Sequence, residues 1–203
     1  MKVHKPLILA SQSPRRQEIL TLAGFEFSVC PADAEWAPEG LAPFDRVREL
    51  ARSKAAQVAK NHSNSLVLGS DTMVVLGDMA LGKPHDEEHA VQMLMSLQGR
   101  SHQVMTGVWI VETDSEGKAV KEDGFTDVTT VDFWAFSEAE AREYVATKEP
   151  MDKAGAYGIQ GKGMRLVKGI NGDFFTVMGL PGGRLVRFFA SNFGESSKMS
   201  QNS

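Results

Sequence analysis

The feature that most constrains the fold is an abrupt change from strand to helix near the N-terminus. The run LILA at residues 7–10 is uniformly apolar, which predicts a buried strand. Ser13 and Pro14 follow, and these residue types are favoured at the N-cap and at the first helical position, so a helix is predicted over 14–23. The chain is therefore expected to begin with a buried strand that leads directly into a helix N-terminus.

The rest of the chain carries a mixture of helical and strand patterns. The predicted segments are helices at 44–60, 86–98, 138–148 and 181–193, a strand at 66–76, a strand pair across 102–136, a glycine-rich loop at 152–163 and a hairpin at 164–178. The hairpin prediction rests on Asn171-Gly172 between two apolar runs, and the helix after Ser137 has a capping box with Glu140. This mixture predicts an α/β domain with a mixed sheet.

The composition is that of an ordinary globular protein. The 203 residues, 42% hydrophobic and 24% charged, suit a single domain over residues 1–193 followed by a polar tail at 194–203. A net charge of -4 provides no basic field, so no nucleic-acid partner is expected. The single cysteine, Cys30, fits a reducing compartment, and no apolar run could span a bilayer. We therefore expect a cytoplasmic protein without a membrane partner.

Two arginines occupy the first turn of the predicted N-terminal helix, where they are electrostatically unfavourable. The helix macrodipole already places positive charge there, so Arg15 and Arg16 need a nearby anion. The hydroxyl groups of Ser11 and Ser13, the guanidinium groups and the free N–H groups of a helix N-terminus all suit phosphate. The pattern indicates a phosphate site, although a solvated arginine pair beside an ordinary cap fits the bare pattern equally well.

Two charged residues lie where the sequence otherwise predicts apolar surroundings. Lys54 falls in the middle of the apolar stripe of the helix at 44–60, so its ammonium group needs a partner or extends to solvent. Asp71 lies at the centre of the strand LVLGSDTMVVL, where an ionised carboxylate is costly unless it is paired or bound to a metal. The preceding Gly69 and Ser70 permit a bulge or the close approach of a ligand. Asp71 is therefore a candidate Mg²⁺ ligand or water-orienting group, or else one half of a salt bridge.

Three further candidates lie on predicted loops. Lys83 comes just before a predicted helix, a position that favours a second phosphate contact, although a solvated turn lysine is the commoner case. Glu35 has Asp33 close by, and either acid could help to hold a divalent cation or be merely solvated. The glycines of 152–163 let the backbone approach a ligand closely, and the amide of Gln160 can read a base edge.

Taken together, these stretches resemble the Maf family of nucleoside triphosphate pyrophosphatases. The motifs that carry the resemblance are, in chain order, LILASQSPRR, LARSKA, LGSDTMVVL, GKP, HQVMTGV, DKAGAYGIQG and INGDFFTVMGLP. They extend over nearly the whole chain, from its first predicted strand to its last predicted helix. The resemblance implies a Maf/ITPase-like α/β fold, in which a mixed twisted sheet and its flanking helices surround a substrate cleft.

The resemblance also implies a reaction and a set of residues for it. The reaction is hydrolysis of a nucleoside triphosphate between the α and β phosphates, with a divalent Mg²⁺ or Mn²⁺ ion as cofactor. Asp71 would be the proton acceptor and, with Glu35, a metal ligand. The triphosphate would be held by basic and hydroxyl groups, namely Ser11, Ser13, Arg16, Lys54 and Lys83. The two lysines among them would also stabilise the leaving pyrophosphate.

Three residues match the branch of the family that acts on dTTP and UTP, namely Arg15, Thr72 and Gln160. The branch that acts on 7-methyl-GTP tends to have an aromatic residue in place of Arg15 and Gln in place of Thr72. The resemblance thus implies a homodimer that hydrolyses dTTP, UTP or modified pyrimidine triphosphates in nucleotide-pool housekeeping. The alternative is a nucleotide-binding regulator of cell division and septum formation, in which catalysis is secondary.

Overall fold

The computed structural model describes residues 3–194, which form one mixed sheet with helices packed against it. Its strands are β1 (Leu7–Leu9), β2 (Phe27–Val29), β3 (Leu66–Leu76), β4 (Met79–Leu81), β5 (Ser101–Thr113), β6 (Ala119–Phe133) and β7 (Val167–Asn171). Its α-helices are α1 (Pro14–Leu22), α2 (Pro43–Ala59), α3 (Glu87–Leu97), α4 (Glu138–Ala146), α5 (Phe174–Met178) and α6 (Gly182–Asn192). Short 3₁₀ helices lie between α4 and β7, at Glu149–Asp152, Ala154–Ala156 and Gly161–Leu166. The predicted tail at 194–203, apart from Gly194, lies outside the described residues.

The strands form a seven-stranded sheet in the order β2-β1-β3-β5-β6-β7, with β4 paired to the end of β3. β1 is parallel to both of its neighbours, whereas β3, β5, β6 and β7 are successively antiparallel. Parallel neighbours need a crossover connection, which α1 provides between β1 and β2 and α2 provides on the way to β3. The predicted α/β fold with a mixed sheet is confirmed.

The long elements agree with the sequence patterns. β3 spans the predicted 66–76, and β5 with β6 forms the predicted strand pair. The capping box is present, because the Ser137 hydroxyl accepts from the Glu140 N–H while the Glu140 carboxylate accepts from the Ser137 N–H. The short strands β2 and β4 were not predicted, since three residues are too few to show a period of two.

The hairpin predicted at 164–178 is wrong. β7 pairs with β6, and the chain that follows Gly172 forms helix α5. The Asp173 carboxylate accepts a hydrogen bond from the second N–H group of α5 at 3.0 Å, which caps this short helix. Gly172 has a φ of +134°, and a Cβ there would lie 2.5 Å from the hydroxyl oxygen of Thr129. The chain therefore passes from strand β7 through Asn171-Gly172 into helix α5. Asp173 stabilises the start of that helix because its carboxylate accepts from an N–H group that has no partner within the helix.

Helix α2 lies directly on the sheet because two strand glycines leave room for its backbone. A Cβ at Gly69 in β3 would lie 2.1 Å from the carbonyl oxygen of Ala51, and a Cβ at Gly107 in β5 would lie 2.4 Å from a carbonyl oxygen one turn earlier in α2. The pairing of β3 with β5 is continuous here, so the bulge that the sequence permits at Gly69 does not form. The close neighbour at Gly69 is α2, and this contact brings Lys54 of α2 to Asp71 of β3.

Two apolar clusters pack against the sheet and support the parts of the chain that line the main cleft. One cluster includes Leu20 of α1 and Phe189 of α6, and the other includes Leu94 of α3 and Tyr144 of α4. The first cluster supports the start of α1, and the second supports the 3₁₀ segment after α4. Both of these segments line the cleft. Among the helices of residues 3–194, none is both long enough and apolar enough to cross a membrane.

Candidate active site

A cleft of about 1170 Å³ is lined by the start of α1, helix α2, strand β3 and the 3₁₀ segment after α4. Small-molecule sites typically have volumes of roughly 300–1,000 Å³, so this cleft is large enough for a nucleotide. The site residues predicted from the sequence all line it, namely Ser11, Ser13, Arg15, Arg16, Glu35, Lys54, Asp71, Thr72, Lys83 and Gln160. Asp33, the alternative acid to Glu35, is exposed and is not among the lining residues. The fold thus gathers these side chains from distant parts of the chain.

Arg16 lies in the wall of the cleft and is held by three hydrogen bonds. Nε donates to the carbonyl oxygen of Gly179 at 2.9 Å, and the terminal nitrogens donate to the hydroxyl groups of Ser11 at 2.9 Å and Thr72 at 3.3 Å. A guanidinium group has five N–H donors, so one donor on each terminal nitrogen is left for a ligand. Burial lowers the pKa of Arg16, and the charge of Asp71 opposes that shift. A bound anion would therefore stabilise the charged form of Arg16 further.

The hydroxyl group of Thr72 is committed to the protein interior. Thr106 donates its proton to the carbonyl oxygen of Thr176 at 2.8 Å, so Thr72 must be the donor in the 3.0 Å contact between the Thr72 and Thr106 hydroxyls. The same Thr72 oxygen accepts a hydrogen bond from Arg16. Thr72 therefore orients Arg16, and it offers a ligand only its remaining lone pair and its methyl group.

Gly179, which the sequence patterns did not single out, supports the same arginine. Its carbonyl oxygen accepts hydrogen bonds from Nε of Arg16 and from the hydroxyl of Ser70, the latter at 3.0 Å. Its φ is +109°, and a Cβ there would lie 3.3 Å from the hydroxyl oxygen of Thr72. A glycine that ends a helix is visible in a sequence. The hydrogen bond that Gly179 accepts from Arg16, which lies 163 positions earlier in the chain, is not visible there. Only the structure therefore identifies the role of this glycine.

Lys54 places its ammonium group between two carboxylates. Nζ lies 2.5 Å from Oδ1 of Asp71 and 2.5 Å from Oε2 of Glu35, and the side chain is only 15% exposed. The sequence leaves open whether Lys54 has a partner or extends to solvent, and the structure shows that it is paired. Asp71 forms a salt bridge with this lysine. Burial on its own would raise the pKa of Glu35. The hydrogen bond and charge of Lys54, together with the charges of Lys83 and Arg16, hold that pKa below its ordinary value.

The two carboxylates are suited to a divalent cation that is shared with a ligand. Asp71 and Glu35 each give one oxygen to the Lys54 ammonium group, and the second oxygen of each carboxylate has no hydrogen-bond partner among residues 3–194. Within residues 3–194, no three His, Cys, Asp or Glu side chains are grouped so that they could hold an ion by themselves. Mg²⁺ is commonly bound by one or two carboxylates together with substrate phosphates and water. Asp71 and Glu35 fit that mode of binding.

The start of α1 supplies hydrogen-bond donors to the wall of the cleft. Ser13 occupies the N-cap as predicted, but its hydroxyl makes no capping hydrogen bond. The hydroxyl oxygen of Ser11 instead accepts from the Ser13 N–H at 3.2 Å. In the part of the chain that the structure describes, the backbone N–H groups of Arg15 and Arg16 have no acceptor. These donors and the helix macrodipole together favour an anion at this position.

Three of the predicted residues keep polar groups available for a ligand. Lys83 is exposed, and the half-buried side chain of Gln160 makes no hydrogen bond to another of residues 3–194. Arg15 contacts the carboxylate of Asp152 at 3.5 Å, and these side chains are 30% and 64% exposed. A long and exposed ion pair contributes little free energy. All three groups can therefore reorient toward a ligand at low cost.

The cleft is also lined by four charged residues that the sequence does not predict as site residues, namely Arg46, Glu149, Asp152 and Lys153. Glu149 lies just before the glycine-rich loop, and its carboxylate accepts hydrogen bonds from the N–H groups of Lys162 and Gly163. The ammonium group of Lys153 donates to the carbonyl oxygen of Glu149 and to the carboxylate of Asp152, both at 2.6 Å. The hydrogen-bond partners of Glu149 and Lys153 are set by the folding of the loop, and no helical or strand periodicity in the sequence indicates them.

The chain matches the model of one protein family along most of its length. That family is described as Maf-like protein, and the match covers residues 6–192. The chain is similar to a curated dTTP/UTP pyrophosphatase of Bacillus velezensis (strain DSM 23117 / BGSC 10A6 / LMG 26770 / FZB42), with 48% identity over 90% of this chain and 94% of the relative. It is also 48% identical to a dTTP/UTP pyrophosphatase of Bacillus mycoides (strain KBAB4), over 90% of this chain and 93% of the relative.

A solved structure, that of the Staphylococcus aureus Ham1 protein, matches 64% of this chain and 72% of its own, with a TM-score of 0.44 and 16% sequence identity. The assignment to a family rests on the family model and on the relatives, each of which spans most of the chain. They confirm the resemblance that the sequence motifs indicate. The chain belongs to the family of Maf-like proteins.

Proposed function

We propose that the protein is a nucleoside triphosphate pyrophosphatase that acts on dTTP and UTP. The observation that carries the proposal is the meeting of basic donors with the carboxylate of Asp71 in one cleft. A protein that only bound a nucleotide would not need a carboxylate among the groups that donate hydrogen bonds to phosphate, because a carboxylate repels phosphate. The names of the curated relatives support the same reaction and substrate class. They do not favour the alternative of a regulator of cell division.

The triphosphate would bind along the start of α1 and beside Lys54 and Lys83. Arg16 retains two terminal N–H donors, which suit two oxygens of one phosphate group. The unpaired N–H groups at the start of α1 would contact the same anion. Lys54 and Lys83 would then stabilise the negative charge that develops on the leaving pyrophosphate.

Asp71 would accept the proton of the attacking water. Its Oδ1 is held by Lys54, whereas its Oδ2 has no hydrogen-bond partner among the described residues. As the water oxygen bonds to the α phosphorus, the bond from that phosphorus to the oxygen of the β phosphate breaks, and the electron pair leaves with pyrophosphate. Because Lys54 already fixes one oxygen of Asp71, the carboxylate is oriented before the substrate binds.

A divalent cation, Mg²⁺ or Mn²⁺, would be held by Asp71 and Glu35 together with phosphate oxygens of the substrate. When bound, such an ion withdraws charge from the phosphate oxygens that it contacts. The protein's own contribution is the direction of the two carboxylates, which Lys54 sets by contacting both of them. Glu35 is drawn to this point from an exposed loop, where its side chain is 52% exposed.

The proposed reaction is tested by identifying the products formed from dTTP and UTP in the presence of Mg²⁺ or Mn²⁺. We expect equal amounts of pyrophosphate and the nucleoside monophosphate. Release of orthophosphate with the diphosphate would place the cleavage at the β–γ bond and contradict the proposal, as would a lack of hydrolysis with either metal. A panel that includes modified pyrimidine triphosphates identifies the substrate with the highest kcat/KM.

Replacing Gln160 by Ala is expected to change the ranking of nucleotides more than the turnover of the best one. The free carboxamide can both donate to and accept from a pyrimidine edge, and its loss removes about one discriminating contact, so the preference for dTTP over dCTP should fall roughly 10-fold. The measurement is kcat/KM for each nucleotide. The matched control is Gln92→Ala on the exposed face of α3. If the values of kcat/KM for the different nucleotides keep the same ratios in Gln160→Ala as in the wild type, this residue has no part in base recognition.

A cytoplasmic location and a homodimeric state are also proposed. The presence of one cysteine, Cys30, which is unpaired, suits a reducing compartment. The oligomeric state is measured by light scattering on the eluting protein, for which we expect twice the mass of the 22.2 kDa chain.

A further inference from the structure

The loop around Gln160 is held on both sides by one pair of side chains. Oε2 of Glu149 accepts from the N–H of Lys162 at 2.9 Å, and Oε1 accepts from the N–H of the glycine that follows at 3.0 Å. Oε1 also accepts from the hydroxyl of Tyr144 at 2.8 Å, and that hydroxyl oxygen accepts from the N–H of Gly158 at 3.2 Å. The backbone is therefore anchored two residues before Gln160 and two residues after it.

The glycines of this loop make room for the same two side chains. Gly161 has a φ of +69°, and a Cβ there would lie 2.7 Å from Oε2 of Glu149. A Cβ at Gly163 would lie 2.5 Å from the hydroxyl oxygen of Tyr144. The sequence pattern attributes these glycines to the close approach of a ligand, but at these positions the backbone approaches protein side chains instead. A loop packed in this way presents Gln160 from a fixed backbone position.

Glu149 holds the loop as an anion. Burial on its own would raise the pKa of Glu149, but the hydrogen bonds from the loop and from Tyr144, with the charge of Lys153, keep it below its usual range. Tyr144 is fully buried and burial raises its pKa, so its hydroxyl stays protonated and donates to Glu149. A carboxamide at this position would turn an N–H group toward a backbone N–H group. The site therefore requires a carboxylate.

We propose that Glu149 is a positioning residue for nucleotide selection, because it fixes the loop that sets the location of the Gln160 carboxamide. The inference rests on the proposed function, in which Gln160 contacts the base. A carboxylate has about four acceptor sites. Three of those of Glu149 are taken by the loop and by Tyr144, so most of its hydrogen-bonding capacity is used to hold the loop.

The test uses Glu149→Gln, which keeps the size of the side chain. We expect the ratio of kcat/KM for dTTP to that for dCTP to fall roughly 10-fold, mainly through a higher KM for dTTP. The kcat for dTTP should fall less, since Asp71 and Lys54 are untouched. Tyr144→Phe removes one anchor and is expected to shift the ratio in the same direction by less. The matched control, Glu26→Gln, changes an exposed glutamate outside the cleft and should leave the ratio unchanged.

Backbone hydrogen exchange provides a readout that is independent of activity. The amides of residues 158–163 should exchange roughly 10-fold faster in Glu149→Gln than in the wild type or in Glu26→Gln. Unchanged exchange, an unchanged ratio of kcat/KM for dTTP to that for dCTP, or an equal fall in kcat for every nucleotide would each overturn the proposal. If Glu149→Gln does not fold, Tyr144→Phe carries both measurements. If the wild type hydrolyses neither dTTP nor UTP, the proposed function fails, whereas hydrogen exchange still decides whether Glu149 holds the loop.

Discussion

Replacing Asp71 by Asn is expected to lower kcat for dTTP by roughly 10³-fold or more, because an amide cannot accept the proton of the attacking water. The fold should survive, since Asn has nearly the same size and Lys54 keeps Glu35 as its counterion. Pyrophosphate release under saturating dTTP measures the turnover. Circular dichroism and the melting temperature measure the fold, and we expect the latter to change by no more than a few degrees.

The matched control for this substitution is Asp78→Asn. Asp78 is an exposed acid in the turn between β3 and β4, so the same chemical change is made on the same hairpin outside the cleft. We expect wild-type turnover in the control. Near-normal hydrolysis of dTTP in Asp71→Asn would show that Asp71 is not the proton acceptor, and the proposed mechanism would then be wrong.

Replacing Lys54 by Met is expected to lower kcat/KM for dTTP roughly 10²-fold. The substitution keeps the length and the helix propensity of the side chain but removes the ammonium group that contacts both Asp71 and Glu35. The two carboxylates then lose the group that orients them, and the triphosphate loses a cation. Initial rates over a range of dTTP concentrations separate the effect on KM from the effect on kcat.

The control for Lys54→Met is Lys60→Met at the exposed C-terminal end of the same helix, α2. We expect this variant to retain the activity and the melting temperature of the wild type. If Lys54→Met is folded and equally active, the ammonium group between the two carboxylates has no part in the reaction, and its role is confined to the local structure.

Patterns that repeat over ten or more residues are sufficient to predict most of this fold. The apolar stripe of α2 and the capping box at Ser137 are local, so they are present in the sequence in the same form as in the structure. The segment after Asn171 differs, because an Asn-Gly pair fits both a hairpin turn and the approach to a helix. The Asp173 cap and the pairing of β7 with β6 select the helix.

The residues of the site were predictable because their chemistry conflicts with their local surroundings. An aspartate in the middle of a strand and a lysine in an apolar stripe are both costly without a partner. Two arginines at a helix N-terminus are unfavourable without an anion. These conflicts are visible in the sequence, and Asp71, Lys54, Arg15 and Arg16 all line the cleft.

The partners of these residues depend on contacts between segments far apart in the chain. Lys54 reaches Asp71 because Gly69 lets the backbone of α2 lie against β3. The loop around Gln160 is shaped by the carboxylate of Glu149, whose acceptor sites are filled only once the chain is folded. A sequence therefore indicates which charges need a partner. Packing decides which partner each one has, because a hydrogen bond forms only between groups that the fold brings to within about 3 Å of each other.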